Sequence, residues 1–178
     1  MLHRASYCDA VTKVEPLSAP EEDLWRAIMR IVKVLPRHLD SDLIRGTGLS
    51  ASEYTTIMHL SEAPNRELRM SDLASATGFS ASRMTRLVDD LLSRSLVTKV
   101  ASSTDARGNV ARVTPRGMAK LRAAWPVHLE SVRTRFFDHI DPTSVKVLAH
   151  ELSLVANQLE DSSSGRNHQI GPISTAGQ

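Results

Sequence analysis

Apolar residues recur at helical spacing through Leu24, Ile28, Ile31, Val32, Leu35 and Leu39, with Arg26, Arg30, Lys33 and Arg37 between them. This pattern predicts an amphipathic helix opening after Pro20, where Glu21, Glu22 and Asp23 suit the positive end of a helix dipole. Pro36 is expected to bend that helix or end its first part. Ser50-Ala-Ser-Glu53 has the spacing of a capping box, and Leu49 can staple onto Tyr54, so a second helix should run to about Glu62. A short third helix is expected over about Ser71–Thr77, halted by Gly78. Ser80 then caps a fourth with the apolar face Met84, Leu87, Val88, Leu91 and Leu92. The period changes at Leu96–Val100 and Asn109–Val113, two β-rich runs around the polar turn Ser102–Gly108, which predicts a hairpin. Thr114-Pro115 opens another helix carrying Met118, Leu121, Trp125, Leu129, Val132, Phe136 and Phe137, bent at Pro126. Asp141-Pro142 starts a last one marked by Val145, Leu148, Leu152, Val155 and Leu159.

Leu73 to Leu87 is the most informative segment. Two helices crossing steeply need a small residue at the close approach, and Ala74 supplies it. The tight turn between them needs a residue that tolerates positive φ, and Gly78 stands four positions on. Met84 and Leu87 are placed to plug the shared core. That is the spacing of a helix-turn-helix, and a plain helical hairpin would share it. The exposed side of the second helix separates the two. Ser80, Ser82, Arg83, Thr85 and Arg86 crowd its first two turns, where short hydroxyls and arginines can meet phosphates and base edges in a major groove.

The fold class predicted from these elements is mainly α with a small β-hairpin wing: a winged helix-turn-helix over about residues 50–114 plus a helical dimerisation region. The latter comprises helices over about residues 20–45 and 115–160, all within one domain of residues 20–160. Residues 1–19 read as a flexible tail, and the polar run 161–178 as a disordered one. The outer helices carry more apolar surface than one helix pair can cover, so a homodimer is expected.

Charge sharpens this picture. The chain carries a net +2, yet between Arg66 and Arg122 there are 11 Lys or Arg against 5 Asp or Glu. Basic charge gathered in the middle third favours a polyanion, here double-stranded DNA. Arg107, at the tip Thr104–Gly108 of the hairpin, is placed to enter a minor groove. Asp105 has no reason to approach DNA and is better cast as pairing with an arginine such as Arg86, holding the wing against the recognition helix. Lys99, Arg112 and Arg116 add phosphate-binding capacity. With one cysteine, Cys8, no intrachain disulfide is possible. No run approaches the roughly 18 apolar residues of a membrane helix, and the N-terminus has no signal-peptide pattern. A cytoplasmic protein without cofactor or metal is expected.

The chain from about Leu24 to Leu159 resembles the MarR family of bacterial regulators. The residues that carry the resemblance are Leu49–Tyr54, Leu73-Ala74, Ser82–Leu91, Leu96-Val97, Asp105–Gly108 and Val113–Gly117. The resemblance implies a triangular homodimer, joined through its first and last helices, that binds short inverted repeats. It also implies release by small phenolic or other aromatic molecules. Within it, Asp105 and Arg107 match the wing motif, and Arg86 matches the arginine that the wing aspartate holds. Repression by occlusion is the default, since no activation segment is evident.

Trp25, Met29, Tyr54 and Met58, with Trp125, are candidates to line an aromatic effector pocket, though their spacing equally suits core or dimer packing. His38 and His59 are further pocket candidates, without metal-ligand spacing. Gly46–Ala51 formally matches a dinucleotide-binding fingerprint, but neither a preceding strand nor a βαβ unit accompanies it. No room remains for a separate catalytic cofactor domain, so an enzyme is not expected. Two alternatives stay open: a redox-sensing regulator using Cys8, and a winged helix used for protein contacts without specific DNA binding.

Overall fold

A computed structural model describes residues 15–101 and 109–164. The described elements are α1 (Ala19–Thr47), α2 (Ala51–Glu62), β1 (Glu67–Arg69), α3 (Met70–Thr77), α4 (Ala81–Ser93), β2 (Val97–Ala101), β3 (Asn109–Val113), α5 (Pro115–Arg135) and α6 (Val145–Ser164). Short 3-10 turns occupy Pro64–Arg66 and Phe137–His139. The chain divides into two compact units at the Ser131–Val132 junction within α5. The mainly α fold with a small sheet agrees with the fold class read from the sequence. No helix among the described residues is long and apolar enough to cross a membrane.

In the first unit, α1 runs through Pro36 without ending. Leu43 is its buried residue; the stripe Leu24, Trp25, Met29, Ile31 and Val32 is exposed. The helix stops at Gly48, whose φ of 70° is left-handed and whose N–H donates to the Ile44 carbonyl at 2.8 Å. The glycine-rich stretch that mimicked a nucleotide fingerprint is therefore a helix C-cap. Ser50 then caps α2: its hydroxyl accepts the Glu53 N–H at 3.2 Å, and the Glu53 carboxylate accepts the Ser50 N–H at 2.7 Å. The Asp40 carboxylate accepts the Ala51 N–H at 2.7 Å, tying α1 to the start of α2.

Three strands form one antiparallel sheet in the order β1-β3-β2, with Leu68 and Lys99 both opposite Ala111, and Glu67 and Thr98 both opposite Arg112. The core gathers Leu43, Leu49, Tyr54, Ile57, Leu60, Leu73, Met84, Val88, Leu91, Val97 and Val113. From α4, Leu87 is half-buried, whereas Leu92 is 40% exposed, so the expected five-residue apolar face is narrower than its sequence pattern.

Thr114 closes the sheet and opens α5. Its hydroxyl accepts the Gly117 N–H at 3.0 Å and donates to the Ser95 carbonyl at 2.8 Å. Pro115 takes the first helical position, where a missing N–H costs nothing. Gly117 is required by proximity: a Cβ there would stand 2.1 Å from the Leu96 carbonyl oxygen.

In the second unit, α6 begins at Val145 rather than at Asp141-Pro142. The Asp141 carboxylate instead accepts the Thr143 N–H at 2.8 Å and the Thr143 hydroxyl at 2.7 Å, forming a turn that delays the helix and holds the Asp141 carboxyl below its usual range. α6 continues past Asp161 to Ser164, where a disordered run was expected to have begun. The Ser162 hydroxyl donates back to the Gln158 carbonyl at 2.7 Å, a bond that serves a helix as well as a loop. Leu148, Leu152, Leu154, Val155 and Leu159 are exposed on α6.

Candidate nucleic-acid interface

The site is built on the turn between α3 and α4. Gly78 adopts φ 68°, its N–H donates to the Ser75 carbonyl at 3.1 Å, and the Phe79 N–H donates to the Ala74 carbonyl at 3.0 Å. Ala74 is buried at the crossing, as the close approach of two helices requires. Ser80 caps α4 by accepting the Arg83 N–H at 3.3 Å. Met84, Val88 and Leu91 then face the core. Because those positions recur every three or four residues, Ser80, Ser82, Arg83, Thr85 and Arg86 fall on the other side, and all five are exposed.

Several of these side chains already have a local geometry. The Ser80 and Ser82 hydroxyls lie 3.3 Å apart, and the Thr85 hydroxyl donates to the Ala81 carbonyl at 2.9 Å. The Arg83 guanidinium lies 4.0 Å from the centroid of the Phe79 ring, and its Nη2 donates to the Ser52 hydroxyl of α2 at 3.0 Å. Neither Ser52 nor Phe79 stood out in the sequence. Ser52 is 31 residues from Arg83, and no local pattern links them.

The remaining cations are distributed less simply than their clustering along the chain implies. Lys99 shares the inner face of the sheet with Val97 and Ala111, and its ammonium pairs with Asp89 of α4. Arg112 stands on the opposite face, where it pairs with Glu67 across the β1–β3 ladder, its Nε donating at 2.7 Å. Arg116 lies elsewhere again. With Arg94, Leu96, Ala119, Lys120 and Ala123 it lines a cavity of about 490 Å³, and Arg94 is the C-cap of α4. Thirteen residues separate the ends of α4 by about 20 Å at 1.5 Å per residue, so Arg116 is remote from Arg83. The wing-tip residues Asp105 and Arg107 lie outside the described residues, and so does Cys8.

One ion pair within the winged helix was not legible in the sequence. Arg94 Nη1 donates to the Glu53 carboxylate at 2.6 Å and to Asp90 at 3.3 Å, while Nη2 donates to the Gly48 carbonyl at 2.9 Å. One guanidinium thus joins the end of α4 to the end of α1 and the start of α2. Glu53 is 7% exposed, and burial, with the neighbouring Asp90 carboxyl, pushes its carboxyl up from the usual value against the opposing pull of Ser50 and of Arg94.

The four effector candidates do not share one environment. Trp25 and Met29 are exposed on α1, Met58 is half-buried on α2, and Tyr54 is a core residue. The Tyr54 ring packs 4.7 Å from that of His128, which in turn lies 6.4 Å from Trp125. His128, not singled out in the sequence, has an Nδ1 without a hydrogen-bond partner, and burial holds its imidazole below the usual pKa. Among the described residues no cluster of His, Cys, Asp or Glu could hold a metal ion.

The MarR family model matches residues 47–108, from the end of α1 to the residue before β3. No curated protein matches the chain. Among solved structures, the MarR family transcriptional regulator Sco3205 from Streptomyces coelicolor, crystallised in complex with DNA, is 32% identical. It aligns over 83% of this chain and 92% of its own with a TM-score of 0.76. AbsC, a MarR family transcriptional regulator from the same organism, is 30% identical over 83% of this chain and 99% of its own, with a TM-score of 0.75. The transcriptional regulator BldR from Sulfolobus solfataricus, at 22% identity and a TM-score of 0.68, covers 80% of this chain and 99% of its own and shares the fold. With the helix-turn-helix, the three-stranded sheet and the flanking helices in the matching order, the chain belongs to the MarR family of transcriptional regulators.

Proposed function

We propose that the chain is a cytoplasmic homodimeric repressor that reads an inverted repeat in double-stranded DNA and is released from it by a small aromatic ligand. The observation that carries the DNA-reading role is the exposed row Ser80, Ser82, Arg83, Thr85 and Arg86 on the N-terminal half of α4. Hydroxyls and guanidinium groups there can reach base edges and phosphates together. The DNA complex of Sco3205, at 32% identity, supports the same reading. Lys99, Arg112 and the wing-tip Arg107 would add backbone or minor-groove contacts, with Asp105 holding the wing to Arg86.

Dimerisation is supported by the apolar residues left exposed on α1 and, separately, on α6. Such surface is unfavourable in water and fits pairing with a second copy. The effector reading rests on the ring cluster of Tyr54, His128 and Trp125, with Trp25, Met29 and Met58 as further candidates. A ligand acts only through its differential affinity: weakening the operator complex 100-fold requires a preference of about 2.7 kcal/mol for the incompetent dimer.

The test is selection of bound sequences from random duplex DNA, followed by genome-wide mapping of occupied sites. The expected product is an inverted repeat whose half-sites lie about one helical turn apart, roughly 34–36 Å. Absence of any enriched sequence, with equally weak binding to all DNA at low salt, would overturn the proposal in favour of a winged helix that contacts proteins.

A further inference from the structure

The orientation of Arg83 is set by residues outside the exposed face of α4. Its guanidinium rests over the Phe79 ring at 4.0 Å, and Nη2 donates to the Ser52 hydroxyl at 3.0 Å. Phe79 sits in the turn before α4 and packs against the core, while Ser52 belongs to the first turn of α2. Both supports therefore rest on parts of the fold that are themselves held in place. Ser52 lies between Ser50 and Glu53, the two members of the α2 capping box, and Glu53 is in turn bound by Arg94. Phe79 is fixed by its backbone bond to Ala74.

An arginine on an exposed helix face ordinarily samples many rotamers and loses that freedom when it docks on a base. Here the ring face restrains the plane of the guanidinium, and the Ser52 hydroxyl engages one Nη2 proton. The Nη1 protons, the second Nη2 proton and Nε–H remain to meet an acceptor pair such as guanine O6 and N7. We propose that Phe79 and Ser52 are positioning residues that hold the Arg83 guanidinium oriented for base reading, so that preference at one position of each half-site depends on a residue of α2 as well as on α4. This rests on the reading of α4 as the DNA-recognition helix, and it adds a specificity determinant that is 31 residues from Arg83.

The experiment uses the full chain and duplex DNA selected by the wild type. Affinities are measured for the selected half-site and for every single-base variant of it, with Arg83→Ala, Phe79→Leu, Phe79→Tyr, Ser52→Ala and Ser52→Thr. Phe79→Leu keeps an apolar side chain against the core, and thermal melting confirms that each variant folds. Arg83→Ala should erase preference at one position per half-site. Phe79→Leu should lower preference at that same position about 2- to 5-fold, the range expected for an exposed cation–π contact, and leave the other positions unchanged. Ser52→Ala should act at the same position in the same direction. Phe79→Tyr, which keeps the ring, and Ser52→Thr, which keeps the hydroxyl, should retain the preference.

A loss spread evenly over all positions would mark Phe79 and Ser52 as structural only and overturn the proposal. Tighter binding on Ser52→Ala would also overturn it, since the bond would then restrain Arg83 away from DNA. If Arg83→Ala removes one position's preference and the Phe79 and Ser52 variants do not, the positioning role fails and the recognition helix stands. If Arg83→Ala changes no single position, the reading role of Arg83 and the positioning proposal fail together.

Discussion

Replacing Arg94 by alanine removes the guanidinium that joins α1, α2 and α4. The variant would leave the Glu53 carboxylate buried beside Asp90, with Ser50 as its remaining stabilising partner. Breaking a fully buried ion pair by deleting one partner costs about 3–5 kcal/mol. The Arg94 side chain is 34% exposed, so water already screens part of the attraction, and a loss of about 2 kcal/mol is expected. For a chain of this length that lowers the melting temperature by about 4–8 °C. The sign of the pH dependence also follows. The Glu53 carboxyl is raised in the folded protein, first by burial, and Arg94 is one of the groups opposing that rise. Without Arg94 it rises further. A carboxyl whose folded value exceeds its unfolded value binds protons more tightly when folded, so the fold is favoured as pH falls from above that raised value toward the ordinary value of 4.5. The deficit of Arg94→Ala relative to wild type should therefore shrink between about pH 7 and about pH 5 as the stranded carboxylate takes up a proton. Urea denaturation followed by circular dichroism, at fixed protein concentration and both pH values, measures this. Adding Glu53→Gln to Arg94→Ala should recover part of the loss at the higher pH and little at the lower. A deficit below about 0.5 kcal/mol, or one that grows on acidification, would refute the assignment of Arg94 and Glu53 as a coupled pair.

Gly117→Ala should destabilise by about 3 kcal/mol or prevent folding, because its Cβ would stand 2.1 Å from the backbone oxygen of Leu96, whereas Gly46→Ala should cost less because its Cβ would meet the Val127 side chain at 2.9 Å rather than backbone; thermal melts of the two variants decide it, and equal stability would contradict the close approach. Asp105→Ala should weaken operator binding although it removes a negative charge from a DNA-binding protein, and tighter binding in a gel-shift titration would remove the wing-holding role. Trp25→Ala should blunt the response to an active phenolic ligand while the protomer fold is kept, because Trp25 is 55% exposed on the single chain, with dimer formation checked by light scattering; Tyr54→Phe is the companion variant, since Tyr54→Ala would cut into the core. An identical ligand response in all three proteins would place the effector elsewhere.

Local signals carried most of the fold. The Ser50 capping box, the Gly78 turn, the Ser80 cap and the Thr114-Pro115 helix start each depend on residues within a few positions of one another, and each is present. The β1 strand escaped because Glu67-Leu-Arg69 is too short for alternation to register; its pairing with β3 and the Glu67–Arg112 contact establish it. The start of α6 was misplaced because Asp141 can cap a turn as readily as a helix. The candidate site was legible in identity more than in geometry. The exposed row of α4 follows from helical period, but the Ser52 contact of Arg83 and the Glu53 contact of Arg94 span 31 and 41 residues, and only the folded chain brings them together. A tyrosine at the spacing of Tyr54 suits a core or a ligand site equally; the fold buries it in the core and sets its ring against His128, a contact that no local pattern shows.

Charge shows how far clustering along a chain can stand for clustering in space. The excess of Lys and Arg between Arg66 and Arg122 suggested one basic surface. In the fold, Arg94 is engaged by Glu53 and Asp90, Lys99 by Asp89, and Arg112 by Glu67. Glu67, Asp89 and Asp90 are three of the five acids in the same stretch, so the surplus falls on what they leave over, including Arg83 and Arg86 on the exposed face of α4. On the proposed DNA-binding reading, the cations of the two surface pairs remain open to phosphate. Lys99 and Arg112 are partly exposed, and an exposed ion pair contributes little, so a phosphate can replace Asp89 or Glu67 at small cost. Arg94 differs because its partner Glu53 is buried. The same residue type at similar spacing along the chain thus does two jobs, and burial of the acid it meets decides which: a buried carboxylate makes the arginine a structural clamp, and an exposed one leaves the cation available to a polyanion.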